Sequence, residues 1–112
     1  MATGAGKQHE GEATMAAIVS MQGRINVDNA GEMRQTLADA LRSQAANSKL
    51  TVDLSGVTYM DTSGVATLME AMRTARQQGS WLALRGVQDQ PRWLLEVTHL
   101  DHVFEIEEGG SK

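Results

Sequence analysis

Val57-Thr58-Tyr59-Met60-Asp61-Thr62-Ser63-Gly64-Val65 is the stretch on which the fold turns: an apparent strand and turn deliver two adjacent hydroxyls to the start of an amphipathic helix. Val65, Leu68, Met69, Met72 and Ala75 recur on one helical face, with Glu70, Arg73, Arg76 and Gln77 opposite, and Gly79 stops the run. Asp and Thr are ordinary N-cap residues, whose side-chain oxygens accept from the second or third helical N–H. On local pattern alone, capping is the favoured account of the cluster. The same helix start also suits an anion, because its first N–H groups lack internal partners and the aligned peptide dipoles leave partial positive charge there. A phosphoryl group on Ser63 or Thr62 would bring about −1.5 to −2 charge to that point, penalising any partner that docks by burying apolar area.

Upstream, Leu50-Thr51-Val52-Asp53-Leu54 alternates at period two between Asn-Ser and Ser-Gly, which predicts a strand. Ala16 to Met21, and Gly23-Arg24-Ile25-Asn26-Val27 after a Gln-Gly punctuation, predict the two strands of a hairpin. Asp28 or Asn29 is placed to cap a helix with Ala30, Met33, Leu37, Ala38 and Leu41 inward, ending near Asn47. Downstream, Trp81-Leu82-Ala83-Leu84 reads as a short buried strand and Pro91 as a first-turn proline of a helix running through Leu94, Leu95 and Val97. A last short strand is expected within Val103 to Ile106, and Trp93-Leu94-Leu95, with Met60, reads as core. Strands alternating with helices across short connections require crossovers, hence an α/β domain with parallel central strands. The Asp61–Gly64 turn then sits outside the carboxyl end of the Leu50–Leu54 strand, the usual place for ligand contact in open α/β sheets.

A chain of 112 residues predicts one domain. Residues 1–12 are small and polar without period and read as a disordered tail, 13–107 as the ordered domain, and 108–112, with Gly109-Gly110, as a flexible end. Lys plus Arg number 10 against 14 Asp plus Glu, and no basic stripe tracks a phosphate backbone, which argues against nucleic acid. The lack of cysteine excludes thiolate chemistry and suits a reducing compartment, so the cytoplasm is expected. No apolar run has the length of a membrane span and no signal peptide is recognisable, so direct membrane insertion is not expected.

Enzymatic readings fail on spacing. A nucleophile elbow at Ser63 would need Gly-x-Ser-x-Gly, and Asp61 and Val65 occupy the flanking positions. His99 and His102 with Asp101 suggest a metal pair, but the segment reads as a solvated helix end without further ligands. Asp53 and Asp61 could form an acid/base pair only around a cleft that so small a domain has little room to build. Walker-type glycine spacing before a lysine is missing. No catalytic residue, metal or cofactor is expected.

The block Val52-Asp53-Leu54-Ser55-Gly56-Val57-Thr58-Tyr59-Met60-Asp61-Thr62-Ser63-Gly64-Val65 resembles the aliphatic strand, turn and Asp-Ser-Ser-Gly-aliphatic signature of the STAS family. This is the domain of bacterial anti-sigma-factor antagonists that also occurs in sulfate transporters and lipid-transport systems. Gly23-Arg24-Ile25-Asn26 is similar to the family's Gly-Glu-Leu-Asp block, with Arg24 and Asn26 standing where acids are expected, and Leu100-Asp101-His102-Val103-Phe104 is similar to its ending. The resemblance implies a STAS fold with a four- to five-stranded mixed sheet, parallel central strands and helices mainly on one face. It implies a non-enzymatic switch: the unphosphorylated chain binds an anti-sigma factor that is also a serine kinase and releases a sigma factor. Phosphorylation of Ser63 blocks this binding, and a serine phosphatase restores it. Thr62 is the second-choice acceptor, and Asp61, Thr62, Ser63, Gly64, Asn26 and Met60 form the implied partner-binding set. The alternative is a STAS subunit regulating a lipid-transport ABC transporter through its ATPase and permease subunits.

Overall fold

The computed structural model describes residues 17–107. The predicted tails at 1–12 and 108–112, and residues 13–16 of the predicted domain, lie outside the described residues. The chain runs β1 (Ala17–Ile25), α1 (Ala30–Arg42), β2 (Lys49–Met60), α2 (Thr62–Gln77), β3 (Trp81–Arg85), α3 (Asp89–Val97), a 3-10 turn (Leu100–His102) and β4 (Glu105–Glu107). The sheet order is β1-β2-β3-β4, and every pairing is parallel. With this monotonic order, crossovers of the usual right hand place all helices on one face. Leu50, Val52 and Leu54 alternate onto that face and share one core with Leu37 and Leu41 of α1, Leu68, Met72 and Ala75 of α2, and Leu95 of α3. Each fully buried leucine there contributes about 1.5–3 kcal/mol from removal of apolar surface from water. The opposite face carries Ile18, Asp53, Trp81, Arg85 and Glu105, all at least partly exposed.

The expected α/β architecture with parallel central strands is present. The expected hairpin is not: β1 is a single strand, and its partner is the distant β2, so no antiparallel pair occurs among the described residues. Gln22 and Gly23 sit inside β1, where the register with β2 slips twice, between Ser20 and Gln22 and between Gly23 and Arg24. Between Ser20 and Arg24 the first strand advances from Asp53 to Tyr59 of its partner. The additional residues therefore belong to β2, one just before Gly56 and one at Thr58, and such bulges bend the strand that carries them. Both Gln-Gly and Ser-Gly, which locally read as turns, are absorbed in this way. As a result β2 continues to Met60 instead of ending at Leu54, and the hydroxyl turn follows Met60 directly.

Other boundaries shift for visible reasons. The first helix ends at Arg42 and not near Asn47, because no inward apolar residue follows Leu41 before Leu50 and Ser43 turns its hydroxyl back onto the Asp39 carbonyl, 3.1 Å away. Asn29 occupies its N-cap without side-chain capping; its Nδ2 donates to the Arg24 carbonyl at 2.8 Å and its Oδ1 accepts from the Asn26 N–H at 2.9 Å, stitching the β1–α1 loop. The last strand is Glu105–Glu107, with Phe104 buried just before it and Val103 partly exposed. Trp81 is exposed at the start of β3, and Trp93 is 56 % exposed on α3, so neither is a core residue, whereas Leu94, Leu95 and Met60 are.

Candidate functional site

The site forms where adjacent parallel strands end. The N–H of Asp61 donates to the carbonyl of Ile25 at 3.1 Å, holding the ends of β1 and β2 together at the point where α2 begins. Asp61 is extended (φ −105°, ψ −172°), as an N-cap must be, and its Oδ1 accepts from the Ser63 N–H at 2.9 Å. The Ser63 hydroxyl donates to the same carboxylate oxygen. Thr67, one turn on and buried, donates to the Ser63 carbonyl at 2.9 Å, fixing that residue from below. The cap predicted from the residues is therefore formed by Asp61, and the same carboxylate also orients the hydroxyl predicted to take phosphate.

Gly64 is required by close approach. A Cβ there would stand 2.6 Å from Cγ of Met60 and 2.9 Å from Cγ2 of Ile25, so the first turn of α2 rests directly on the strand ends. Met60 is fully buried and Gly64 buried, so these two members of the predicted partner-binding set support the surface from beneath and present no side chain to a partner. Ser63 and Asn26 are half-buried and Thr62 is exposed. Among the described residues the Thr62 hydroxyl is not drawn into the cap, whereas that of Ser63 is.

The hydroxyl and N–H of Ser63, followed by backbone N–H groups of Gly64 and Val27, hold the Asp61 carboxyl below the ordinary aspartate value near 3.8, against an opposing effect of partial burial. A carboxylate whose folded value is depressed contributes stability that is complete above its unfolded value and is lost as the pH falls through the folded one. Asp61→Asn keeps an oxygen on the cap but removes the charge. The stability gap between wild type and Asp61→Asn in thermal melts is therefore expected to be constant at neutral pH and to close as the pH drops below the carboxylate range. Parallel curves down to the acid limit would show that the charge of Asp61 adds nothing to the cap.

Arg24, which replaces an expected acid, lies with its guanidinium carbon 4.5 Å from the centroid of the Tyr59 ring, a cation–π contact on the strand leading into the site. The Oδ1 of Asn26 accepts from the Asp28 N–H at 2.9 Å, so it organises the loop beside Asp61. Asp53 lies on the open sheet face, where the N–H and hydroxyl of Ser55 and the charge of Arg85 lower its carboxyl, and Asp61 caps a helix beyond the strand's end. His99 adopts a left-handed backbone (φ 63°) after α3, and His102 stands 3.8 Å from Asp101 on an exposed 3-10 turn. No group of three or more potential metal-ligating residues occurs among the described residues.

Three contributors escape sequence reading. Thr67 looks like any helix residue. Val27, 74 % exposed beside the Asp61 carboxylate, gave no signal beyond the resemblance around it. Gln90, discussed below, is a polar residue before a proline, with no motif attached.

Residues 9–107 match the family model described as Mlab, STAS domain. A parallel α/β sheet with a hydroxyl pair on a capped helix at its carboxyl edge is thus the framework of a STAS domain, and this chain belongs to that family. The anti-sigma-B factor antagonist of Listeria monocytogenes is 39 % identical over 57 residues, covering 51 % of this chain and 50 % of the relative. The chain thus spans about half the length of the curated relatives it matches. Among solved structures, the anti-sigma factor antagonist SpoIIAA in its unphosphorylated form superposes with a TM-score of 0.72 at 14 % identity, covering 88 % of this chain and 83 % of that one. A sulfate transporter family protein from Wolinella succinogenes gives 0.68 at 18 % identity, covering 83 % of this chain and 77 % of that one. At these identities the structural likeness concerns the fold. No helix among the described residues is long and apolar enough to cross a membrane.

Proposed function

We propose that the chain is an anti-sigma factor antagonist that works by partner switching in the bacterial cytoplasm, with Ser63 as phosphoacceptor. The observation that carries this reading is the Ser63 hydroxyl held on the Asp61 carboxylate at the N-terminus of α2. The similarity to the Listeria antagonist supports it. In the proposed cycle the unphosphorylated site docks on an anti-sigma factor with serine kinase activity, releasing a sigma factor. The Ser63 oxygen attacks the γ-phosphorus of ATP bound by that kinase, the bond to ADP breaks, and the hydroxyl proton leaves to base or solvent. Asp61 positions the oxygen. The phosphoryl group, carrying about −1.5 to −2 charge, lies against the Asp61 carboxylate, so the surface becomes strongly anionic and the partner is expelled until a serine phosphatase hydrolyses the ester.

Mass spectrometry of the chain isolated from its own cells tests this directly, with Ser63→Ala and Thr62→Ala compared and co-purifying proteins identified. Phosphate on Ser63 together with a kinase of the anti-sigma type is the expected result. An unmodified chain held by transporter subunits would overturn it. That outcome would favour the second reading, a STAS subunit that regulates a lipid-transport ABC transporter. Two observations support this alternative: the matching family model is the Mlab one, and Thr62 is the more exposed of the two hydroxyl residues.

A further inference from the structure

In a strand the N–H and C=O of one residue point to the same side, and those of the next residue to the other. The Asp61 N–H points at β1, where it meets the Ile25 carbonyl. Both polar groups of the Met60 peptide unit therefore point the other way, towards the position a neighbouring strand would fill. No strand fills it: β3 pairs with β2 only from Lys49↔Trp81 to Asp53↔Arg85 and then departs. Met60 is fully buried, so water does not reach these groups. The side chain of Gln90, in the first turn of α3, takes the strand's place. Its Oε1 accepts from the Met60 N–H at 2.8 Å, and its Nε2 donates to the Met60 carbonyl at 2.9 Å. A primary amide is the side chain that offers an acceptor and a donor side by side in the spacing of a peptide group.

We propose that Gln90 is a positioning residue of the Ser63 site: its amide clamps the Met60 peptide in place of a missing strand and so fixes the cap residue Asp61 and the Ser63 hydroxyl that follow. The chain of contact is short. Met60 is bonded covalently to Asp61, and its side chain underlies Gly64, whose neighbour is Ser63. The end of β2 is held on one side by β1 and on the other by Gln90 alone among the hydrogen bonds of the described residues. The inference rests on the reading of Asp61 and Ser63 as the working site, and it adds α3 to the elements that hold that site in register.

The test uses the purified chain and nuclear magnetic resonance. Gln90→Leu removes both contacts; Gln90→Glu is nearly isosteric and keeps the acceptor for the Met60 N–H while losing the donor to its carbonyl. Both variants are expected to move the Asp61 titration midpoint upward, towards the ordinary aspartate value, Gln90→Leu more than Gln90→Glu. Exchange of the Ser63 N–H is expected to accelerate by about 10-fold relative to that of Leu68 in the core of α2. A residue that merely stabilised α3 would lower the melting temperature and leave Asp61 and Ser63 unmoved, and that result would overturn the proposal. Should Gln90→Leu fail to fold, exchange of the Ser63 N–H in Gln90→Glu decides, because the added carboxylate by itself raises the Asp61 midpoint. The readout needs neither kinase nor phosphate, so absence of phosphorylation in cells would remove the functional reading without touching this one, and unmoved resonances would remove this one without touching the other.

Discussion

In the proposed cycle, Ser63→Asp is expected to weaken binding of the anti-sigma partner by about 100-fold or more, a loss of roughly 2.7 kcal/mol, while Ser63→Ala stays within a few-fold of wild type. The asymmetry follows from the geometry of the cap. The Ser63 hydroxyl is a donor to Asp61, so its loss removes one hydrogen bond at a half-buried position but leaves the Asp61 bond to the Ser63 N–H in place. A carboxylate at 63 instead sets a second anion beside the first, and both must shed water when a partner covers the turn. The fold itself should tolerate it. The first turn of α2 contains no acidic residue, and an added anion there interacts favourably with the helix dipole, worth about 0.3–1 kcal/mol, which offsets repulsion from Asp61. Titration calorimetry with the proposed kinase partner, with circular dichroism as a control for folding, measures both effects. If Ser63→Asp bound as well as wild type while Thr62→Asp did not, Thr62 would be the working hydroxyl and the transporter reading would gain.

How much of this was legible in advance depends on the range of the interaction involved. The period-two run Leu50–Leu54 and the 3.6-period face from Val65 to Ala75 are local patterns tied to one buried face; α2 formed where its pattern placed it, and β2 contains its run but continues to Met60. Asp61 as cap was legible for the same reason, since capping joins residues two apart. The hairpin misreading shows the limit. Gln22-Gly23 and Ser55-Gly56 are turn-like dipeptides by composition, yet pairing between β1 and β2 holds both flanks of each in one strand, and that pairing spans more than thirty positions. Nothing within either dipeptide distinguishes a bulge from a turn. Trp93 departs from the core expectation because apolar character at helical spacing does not fix which side faces inward; Leu94 and Leu95 take the core-facing arc of α3 and leave it on the flank. Gln90 was invisible because its role is defined by a strand that is not there, a fact of topology with no residue pattern of its own.

That missing strand also bears on Gly86, where a single methyl group meets backbone as well as side chain. Gly86 follows β3 at φ +72°, a left-handed backbone that costs an L-residue about 1–2 kcal/mol. A Cβ there would stand 2.7 Å from Cβ of Ser55 and 3.2 Å from both its Cα and its N, so the obstacle is largely backbone of the bulged strand and not the end of a mobile side chain. Relief requires β3 and β2 to separate where β3 must leave to make room for α3. Overpacking of this kind adds about 1–3 kcal/mol. Gly86→Ala is therefore expected to destabilise the domain by about 2–5 kcal/mol, lowering the melting temperature by roughly 10–30 °C for a domain of this size. Differential scanning calorimetry measures the shift, and a change of only a degree or two would mean that the turn after β3 relaxes freely. Because Gln90 follows a few residues later and reaches back to Met60, the damage should not stay local. The Met60 and Ser63 amides of Gly86→Ala should lose protection against exchange even under conditions where the chain remains folded, so a substitution just after β3 is read out at the Asp61–Ser63 turn.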